Sequence, residues 1–141
     1  MGIAAYGTLI KRGDGATPEN FVTIAEVVDI TGPAMKVKAI DTTNHSSANA
    51  IAENVVGIID MGVLKLTVNF MPDAPTQSYA AGLLMDLYQR NPRNYQLVWP
   101  NVAHTTWLLP CYVTGFDPKA PVDGKLVADF ELDIYKAPTL A

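Results

Sequence analysis

KLVADFELDIY, residues 125–135, alternates hydrophobic and polar side chains along most of its length. An alternation with a period of two is typical of a strand that is buried on one face and solvated on the other. One face would carry Leu126, Ala128, Phe130, Leu132 and Ile134. The opposite face would carry an acidic stripe of Asp129, Glu131 and Asp133. The same pattern in Val63 to Phe70 points Leu64, Leu66, Val68 and Phe70 inward, and Lys65, Thr67 and Asn69 outward.

The remaining patterned segments indicate a mainly β protein. Further strands are predicted at Ala5 to Lys11, Phe21 to Ile30, Met35 to Asp41, Val55 to Asp60, Tyr95 to Trp99 and Thr106 to Phe116. Pro110, inside the last of these, predicts a bulge or an edge position. Hydrophobic residues recur at helical spacing between Gln77 and Gln89, which predicts one amphipathic helix there. We therefore expect a β-sandwich or barrel with one flanking α-helix, forming a single domain over residues 1–141.

Thr42 to Asn54 has neither helical nor strand periodicity and is rich in small polar residues. A structureless connection of this length is uncommon in a compact domain and is usually functional or becomes ordered against a partner. The alternative is a mobile surface excursion. The polar residues of this loop are Thr42, Thr43, Asn44, His45, Ser46, Ser47, Asn49, Glu53 and Asn54.

Composition restricts the classes of partner. Hydrophobic residues make up 49% of the chain and charged residues only 17%, which favours extensive contact between copies of the chain. A net charge of -4 argues against tight binding of nucleic acid. No hydrophobic run approaches the roughly 20 residues that span a bilayer, so no membrane partner is expected. Cys111 is the only cysteine and is expected to be a buried thiol.

A search for catalytic chemistry finds no convincing constellation, so we expect no enzyme and no catalytic, metal or cofactor site. Acidic side chains of one strand face lie about 7 Å apart, inside the range of inverting glycosidases, but no hydrophobic pocket surrounds them. His45 and His104 lack neighbouring metal ligands. Ser46, Ser47 and Ser78 lack a nucleophile elbow, and Gly13-Asp14-Gly15 fits a turn rather than a phosphate loop.

Several motifs occur in an order that resembles a known family. The front half contains Ile24-Ala25-Glu26-Val27, Asp29-Ile30-Thr31-Gly32-Pro33 and Ile40-Asp41-Thr42-Thr43. The back half contains Leu66-Thr67-Val68-Asn69-Phe70-Met71-Pro72-Asp73, Tyr112-Val113-Thr114-Gly115-Phe116 and Ala120-Pro121-Val122-Asp123. Over nearly the whole chain this series resembles the tail tube proteins of long flexible-tailed phages, of which the lambda-like major tail proteins are the nearest comparison.

The resemblance implies a structural protein that forms hexameric rings, which stack into a hollow tube that conducts the genome. It implies a location in the virion after assembly in the host cytoplasm. The implied partners are further copies of the chain, the tail-tip, tape-measure and terminator proteins, and double-stranded DNA that passes without tight binding. Because the sequence ends at Leu140-Ala141, we expect it to lack the immunoglobulin-like domain that many relatives carry.

Two surfaces receive candidate roles. Asp129, Glu131 and Asp133, with Lys65, Thr67 and Asn69, are candidates for the lumen lining; alternatively, these faces meet solvent or the next subunit. The loop from Thr42 to Asn54 resembles the loop that crosses to neighbouring subunits or rings in this family, a role that the Ala5 to Lys11 strand and the tail after Tyr135 could share.

Two other functions stay open from the sequence. One is a tube subunit of a contractile injection machine, because that class shares the fold. The other is a small β-sandwich module that binds carbohydrate or peptide, in which Tyr95, Trp99, Trp107 and Tyr112 would form an aromatic platform.

Overall fold

A computed structural model describes residues 2–16 and 18–140, and this part of the chain is mainly β, as predicted. The strands are β1 Leu9–Gly13, β2 Phe21–Thr23, β3 Val27–Thr31, β4 Lys36–Asp41, β5 Asn54–Asp60, β6 Val63–Asn69, β7 Arg93–Val98, β8 Thr106–Lys119, β9 Val127–Ile134 and β10 Thr139–Leu140. The α-helix, α1, spans Leu83–Gln89, and a short 3-10 turn spans Ala48–Ala50.

One antiparallel sheet organises the molecule, with the strand order β2-β1-β7-β8-β9-β6-β3 and β10 paired to β8. Its two end strands, β2 and β3, are separated by only residues 24–26, so the sheet has to curl back towards itself. β8 belongs to both halves of the curled sheet, because residues 106–111 pair with β7 and residues 111–119 pair with β9. The expected sandwich or barrel architecture is confirmed.

The concave face of the sheet holds the hydrophobic core. Alternate residues of β6 and β9 are buried, as their sequences predict, and these are Leu64, Leu66, Val68, Ala128, Phe130, Leu132 and Ile134. β1, β7 and β8 contribute Ile10, Tyr95, Leu97, Leu109, Cys111 and Val113. Leu126 departs from the prediction, since it precedes β9 and remains 38% exposed.

The helix is shorter than predicted, because it begins at Leu83 rather than Gln77. Gln77 is buried, and its side chain bonds to backbone instead of joining a helical face: Oε1 accepts from the Met71 amide at 2.9 Å, and Nε2 donates to the Ala25 carbonyl at 2.5 Å. The Thr76 hydroxyl accepts from the Ala25 amide at 3.0 Å. The bonds to Ala25 hold the segment that connects β2 to β3. Because tertiary contacts of this kind outweigh local propensity, residues 77–82 do not form the helix that their periodicity predicts.

Other boundaries also differ from the prediction. β1 begins at Leu9, after a turn at residues 6–7, and the predicted Phe21 to Ile30 strand divides at Glu26, where φ is +58°. Of the two alternatives predicted for Pro110, a bulge is wrong, because the register shift of β8 falls between Val113 and Gly115. The Pro110 carbonyl accepts a hydrogen bond from the Tyr135 amide, just beyond the end of β9. The Pro110 nitrogen points to the same side, where β9 has already ended, so no ladder hydrogen bond is lost there.

Candidate assembly surfaces

The outward face of β3, β6, β9 and the second half of β8 is polar. Lys65 lies opposite Glu131, and Thr67 lies opposite Asp129, so the two predicted stripes form one surface. Asp133 lies opposite Val63 at one end of this surface, and Asn69 lies opposite Val127 at the other. We call it the acidic face.

Side-chain contacts on the acidic face neutralise its lysines. Lys65 Nζ lies 3.9 Å from Glu131 Oε1, and Lys119 Nζ lies 3.6 Å from Asp129 Oδ2. The Thr67 hydroxyl donates to Asp129 Oδ1 at 2.8 Å. Strand register adds Asp29 and Asp117 to the same face. The face therefore has a net charge of −3. It carries two ammonium groups, of Lys65 and Lys119, and five carboxylates, of Asp29, Asp117, Asp129, Glu131 and Asp133.

β4 and β5 form a separate two-stranded sheet, which we call the hairpin arm. Its hydrophobic side chains are poorly covered, with Ile58 83% exposed and Val56 74% exposed. Val37, Ile40, Val55 and Ile59 are each about half exposed. A two-stranded sheet is marginally stable alone in water, and exposed apolar side chains on it are typical of an interaction surface.

The loop at the tip of the hairpin arm carries the predicted polar residues, and all of it is solvent-accessible. It spans residues 42–53, since Asn54 already belongs to β5. The loop is held by its own hydrogen bonds: the Asp41 carboxylate accepts from the Thr43 amide at 2.9 Å, and the Thr43 hydroxyl donates to the Glu53 carbonyl at 3.1 Å. The Thr43 hydroxyl and amide lower the pKa of Asp41.

Sequence reasoning missed a buried charge cluster beneath α1. The Asp86 carboxylate is fully buried and accepts from Arg12 Nε at 2.7 Å, from Arg93 Nε at 2.6 Å and from the Tyr95 hydroxyl at 3.2 Å. An acidic residue one turn after the buried Leu83 is the sequence signal that could have revealed it.

The charges of this cluster stabilise one another. Burial disfavours the charged form of Arg12, but the hydrogen bond and the negative charge of Asp86 outweigh it and raise the pKa of Arg12. Burial, together with Asp86, raises the pKa of Tyr95, so its phenol stays a hydrogen-bond donor. The cluster fastens α1 to β1 and β7.

The cysteine and the two histidines lie in different environments. Cys111 is buried as predicted, and burial together with the negative charge of Asp133 raises its thiol pKa to about 12. His45 and His104 are exposed. Across residues 2–16 and 18–140, no group of three or more His, Cys, Asp and Glu side chains could hold a metal ion. In the same residues no helix is long and apolar enough to cross a membrane.

The four aromatic residues considered for a binding platform do not share one surface. Tyr95 lies in the core, whereas Trp99 and Trp107 pack edge to face with ring centroids 5.1 Å apart. Tyr112 packs instead against Tyr135, at a centroid distance of 4.7 Å. A flat aromatic platform for a sugar ring is therefore not formed by these residues.

Solved structures show where this fold occurs. The tail of an empty gene transfer agent particle, refined with C6 symmetry, superposes with a TM-score of 0.80 at 17% identity and covers 99% of both chains. The SPP1 tail tube gives 0.70 at 12% identity, over 99% of this chain and 80% of that one. The sheath-tube complex of an extracellular contractile injection system, PVC, gives 0.67 at 12% identity, over 99% and 93%.

Sequence comparison supplies the family. No curated protein sequence matches this chain. A family model described as lambda phage tail tube protein, TTP, matches residues 7–141. This match covers nearly all of the chain and agrees with the motifs and with the observed fold. The chain therefore belongs to the lambda phage tail tube protein family and is a structural tail tube subunit.

Proposed function

We propose that this subunit forms six-membered rings that stack into a tube, with the acidic face lining the channel through which double-stranded DNA leaves the particle. The observation that carries the proposal is the pairing of both lysines of that face with carboxylates. In this proposal residues 1–141 act as one tube domain. The protein has no enzymatic role in this proposal, and it assembles in the host cytoplasm with tail-tip, tape-measure and terminator proteins.

The electrostatics suit a channel for DNA. Duplex DNA carries one negative charge per about 1.7 Å of its axis, and surfaces rich in free lysine or arginine bind it by releasing counterions. Lys65 and Lys119 are the cationic side chains of the acidic face, and each lies beside a carboxylate. Six such faces around a channel would repel the phosphates weakly from every side. DNA would then slide without adhering.

The hairpin arm supplies the surface for contact between subunits. Full burial of a valine or isoleucine side chain is worth about 1.5–3 kcal/mol, so the half-exposed side chains of the arm each leave roughly 1 kcal/mol unrealised. Covering the arm in an assembly recovers that free energy. The loop at residues 42–53 lies at the arm's far end and would reach a neighbouring subunit or the adjoining ring.

Helical reconstruction of purified, assembled protein by electron cryomicroscopy tests the proposal. We expect rings of six subunits with Asp129 and Glu131 facing the channel and the hairpin arm covered by another subunit. A channel lined by the hairpin arm, or a protein that stays monomeric at every concentration and with tail-tip seeds, would show the proposal to be wrong. A tube subunit of a contractile machine differs in carrying a sheath, and the family match favours the non-contractile assignment.

A further inference from the structure

Aspartate is followed by glycine at two places in the chain, Asp14-Gly15 and Asp123-Gly124. In such a pair the glycine amide nitrogen can attack the aspartate side chain and form a cyclic imide. Glycine favours the reaction, because it has no Cβ to obstruct its nitrogen and lets the backbone adopt the conformation that the ring needs. The folded chain holds the two pairs in different ways, and this difference determines which of them can react.

The first pair is held at both of its reacting groups. Asp14 Oδ1 accepts from the Ala16 amide at 2.9 Å and from the Asn20 amide at 3.1 Å. The Gly15 amide, which would be the nucleophile, donates to Glu19 Oε2 at 3.0 Å. Closing the imide ring would break these hydrogen bonds, so the fold protects Asp14.

The charge state of the Asp14 carboxyl adds a second barrier. Imide formation expels one carboxyl oxygen as water, and it therefore proceeds through the protonated carboxylic acid. The hydrogen bonds from the amides of Ala16 and Asn20 stabilise the ionised form and lower the pKa of Asp14. The reactive, protonated form of this side chain is thus rare at any pH at which the protein is folded.

The second pair has neither kind of protection. Residues 120–126 connect β8 to β9, are all exposed and lie outside the paired residues of the two strands. Among residues 2–16 and 18–140, no side-chain hydrogen bond or ion pair engages the Asp123 carboxylate. The Gly124 amide donates to the Pro121 carbonyl at 3.4 Å, which is longer than the usual range for such bonds. Both reacting groups are therefore free to approach each other.

We propose that Asp123 is a modification site at which the folded protein forms isoaspartate spontaneously, while Asp14 stays unmodified. The Gly124 nitrogen bonds to Asp123 Cγ, and the amide proton leaves with the side-chain hydroxyl as water. Water then adds to one of the two carbonyl groups of the succinimide ring. Cleavage of the bond between nitrogen and Cγ restores aspartate, whereas cleavage at the α-carbonyl routes the main chain through the side chain. Water is the sole co-reactant.

The position of the turn makes this change tolerable to the fold. Isoaspartate adds one carbon to the main chain and moves the carboxylate onto the α-carbon. Because residues 120–126 take no part in the register of β8 with β9, the added length does not shift the pairing of those strands. We expect modified and unmodified protein to have the same unfolding midpoint, so that the product accumulates as the protein ages.

Tryptic peptide mapping tests the proposal. Trypsin releases residues 120–125, in which Asp123 is the one acidic residue, and residues 13–36, which contain Asp14. After several weeks at mildly acidic pH, isoaspartate in the folded protein should be about tenfold or more abundant at Asp123 than at Asp14. In urea at the same pH the two sites should convert at similar rates. Fragmentation spectra locate the product, and methylation by an isoaspartyl methyltransferase quantifies it.

Three variants sharpen the test. Gly124→Ala should slow conversion at Asp123 several-fold, and Asp123→Glu should abolish it, because the larger ring closes poorly. Glu19→Ala should release the Gly15 amide and accelerate conversion at Asp14 while leaving Asp123 unchanged. Equal conversion of the two sites in the folded protein would overturn the proposal. Conversion at Asp123 that is far slower in the folded protein than in urea would also do so, because it would show that the turn is restrained.

Discussion

The Asp86 carboxylate and the Arg12 guanidinium meet through two hydrogen bonds, at 2.7 and 2.9 Å, although 74 positions separate the two residues in sequence. Arg12 lies on β1 and Asp86 on α1, so this pair fixes the helix across the concave side of the sheet. Arg93 approaches the same carboxylate from β7. The hydrogen bonds among Asp86, Arg12 and Arg93 replace those that the three charged groups would make with water in the unfolded chain.

Replacing Asp86 by asparagine should therefore be strongly destabilising. The substitution leaves two largely buried guanidiniums without a counter-charge, and breaking a buried ion pair in this way costs about 3–5 kcal/mol. Urea denaturation of the monomer measures the change in the free energy of unfolding. Asp123→Asn, an exposed position, should stay within about 0.5 kcal/mol of the native chain. Equal stability of the two variants would contradict the assigned role of Asp86.

Reversing charges on the acidic face should slow the passage of DNA. Asp129→Lys combined with Glu131→Lys changes that face from a net charge of −3 to +1, and it also frees Lys65 and Lys119 from their carboxylates. We expect intact tubes, DNA retention that weakens as salt concentration rises, and genome ejection slowed several-fold. The control carries the same four-unit change elsewhere, at the exposed residues Asp73 and Asp123. Normal ejection by the double variant would contradict the lumen assignment.

Deleting the tip of the hairpin arm should leave the fold of the subunit intact and prevent its assembly into tubes. Residues 44–49 are exposed apart from the partly buried Ser47, and none of them belongs to the hydrophobic core. A chain without them should keep the native circular dichroism spectrum and unfolding midpoint, yet fail to form tubes in negative-stain microscopy. Tubes of normal length and abundance would show that this loop is dispensable for subunit contacts.

The Cys111 thiol should resist alkylation while the chain is folded. Because its pKa is raised to about 12, almost no thiolate exists at pH 8, and burial blocks access as well. Iodoacetamide should leave the folded protein unmodified over hours and label it rapidly in urea, as followed by mass spectrometry. Rapid labelling of the folded chain would contradict this environment.

The same thiol makes stability depend on pH in the alkaline range. The unfolded chain ionises near the ordinary thiol pKa of 9.0 and the folded chain only near 12, so the unfolded state is stabilised first as pH rises. The contribution of Cys111 is complete below pH 9 and is lost between pH 9 and 12. Cys111→Ala should remove this part of the pH dependence.

Period-two alternation was sufficient to predict β6 and β9, because each strand has one buried and one solvated face. The same two strands also place Lys65 opposite Glu131, which brings their charged groups together. The start of α1 was not predictable from periodicity, because the Gln77 side chain hydrogen-bonds to the backbone of residues 25 and 71. Only the folded sheet brings those two residues close to Gln77. Such bonds depend on tertiary structure that local patterns do not report.

The Asp86 cluster was missed for the same reason. Arg12 and Tyr95 become neighbours through the register of β1 with β7, and Arg93 joins them two residues along β7. No local spacing links these positions. Pro110 shows the limit of a local rule, because the strand sequence alone predicts either a bulge or an edge position and does not choose between them. Its outcome depends on where β9 happens to end.

β8 joins the two halves of the sheet, and it lies late in the sequence together with its partner β9. During synthesis the sheet can therefore be completed only after most of the chain has been made. β6 has no partner on its β9 side until the last strands have been translated, as the Thr67 and Asp129 pair, 62 positions apart, illustrates. Pairings of such long range form slowly and leave earlier segments exposed meanwhile. The surface on which DNA would slide thus comes into existence only when the ribosome has almost finished the chain.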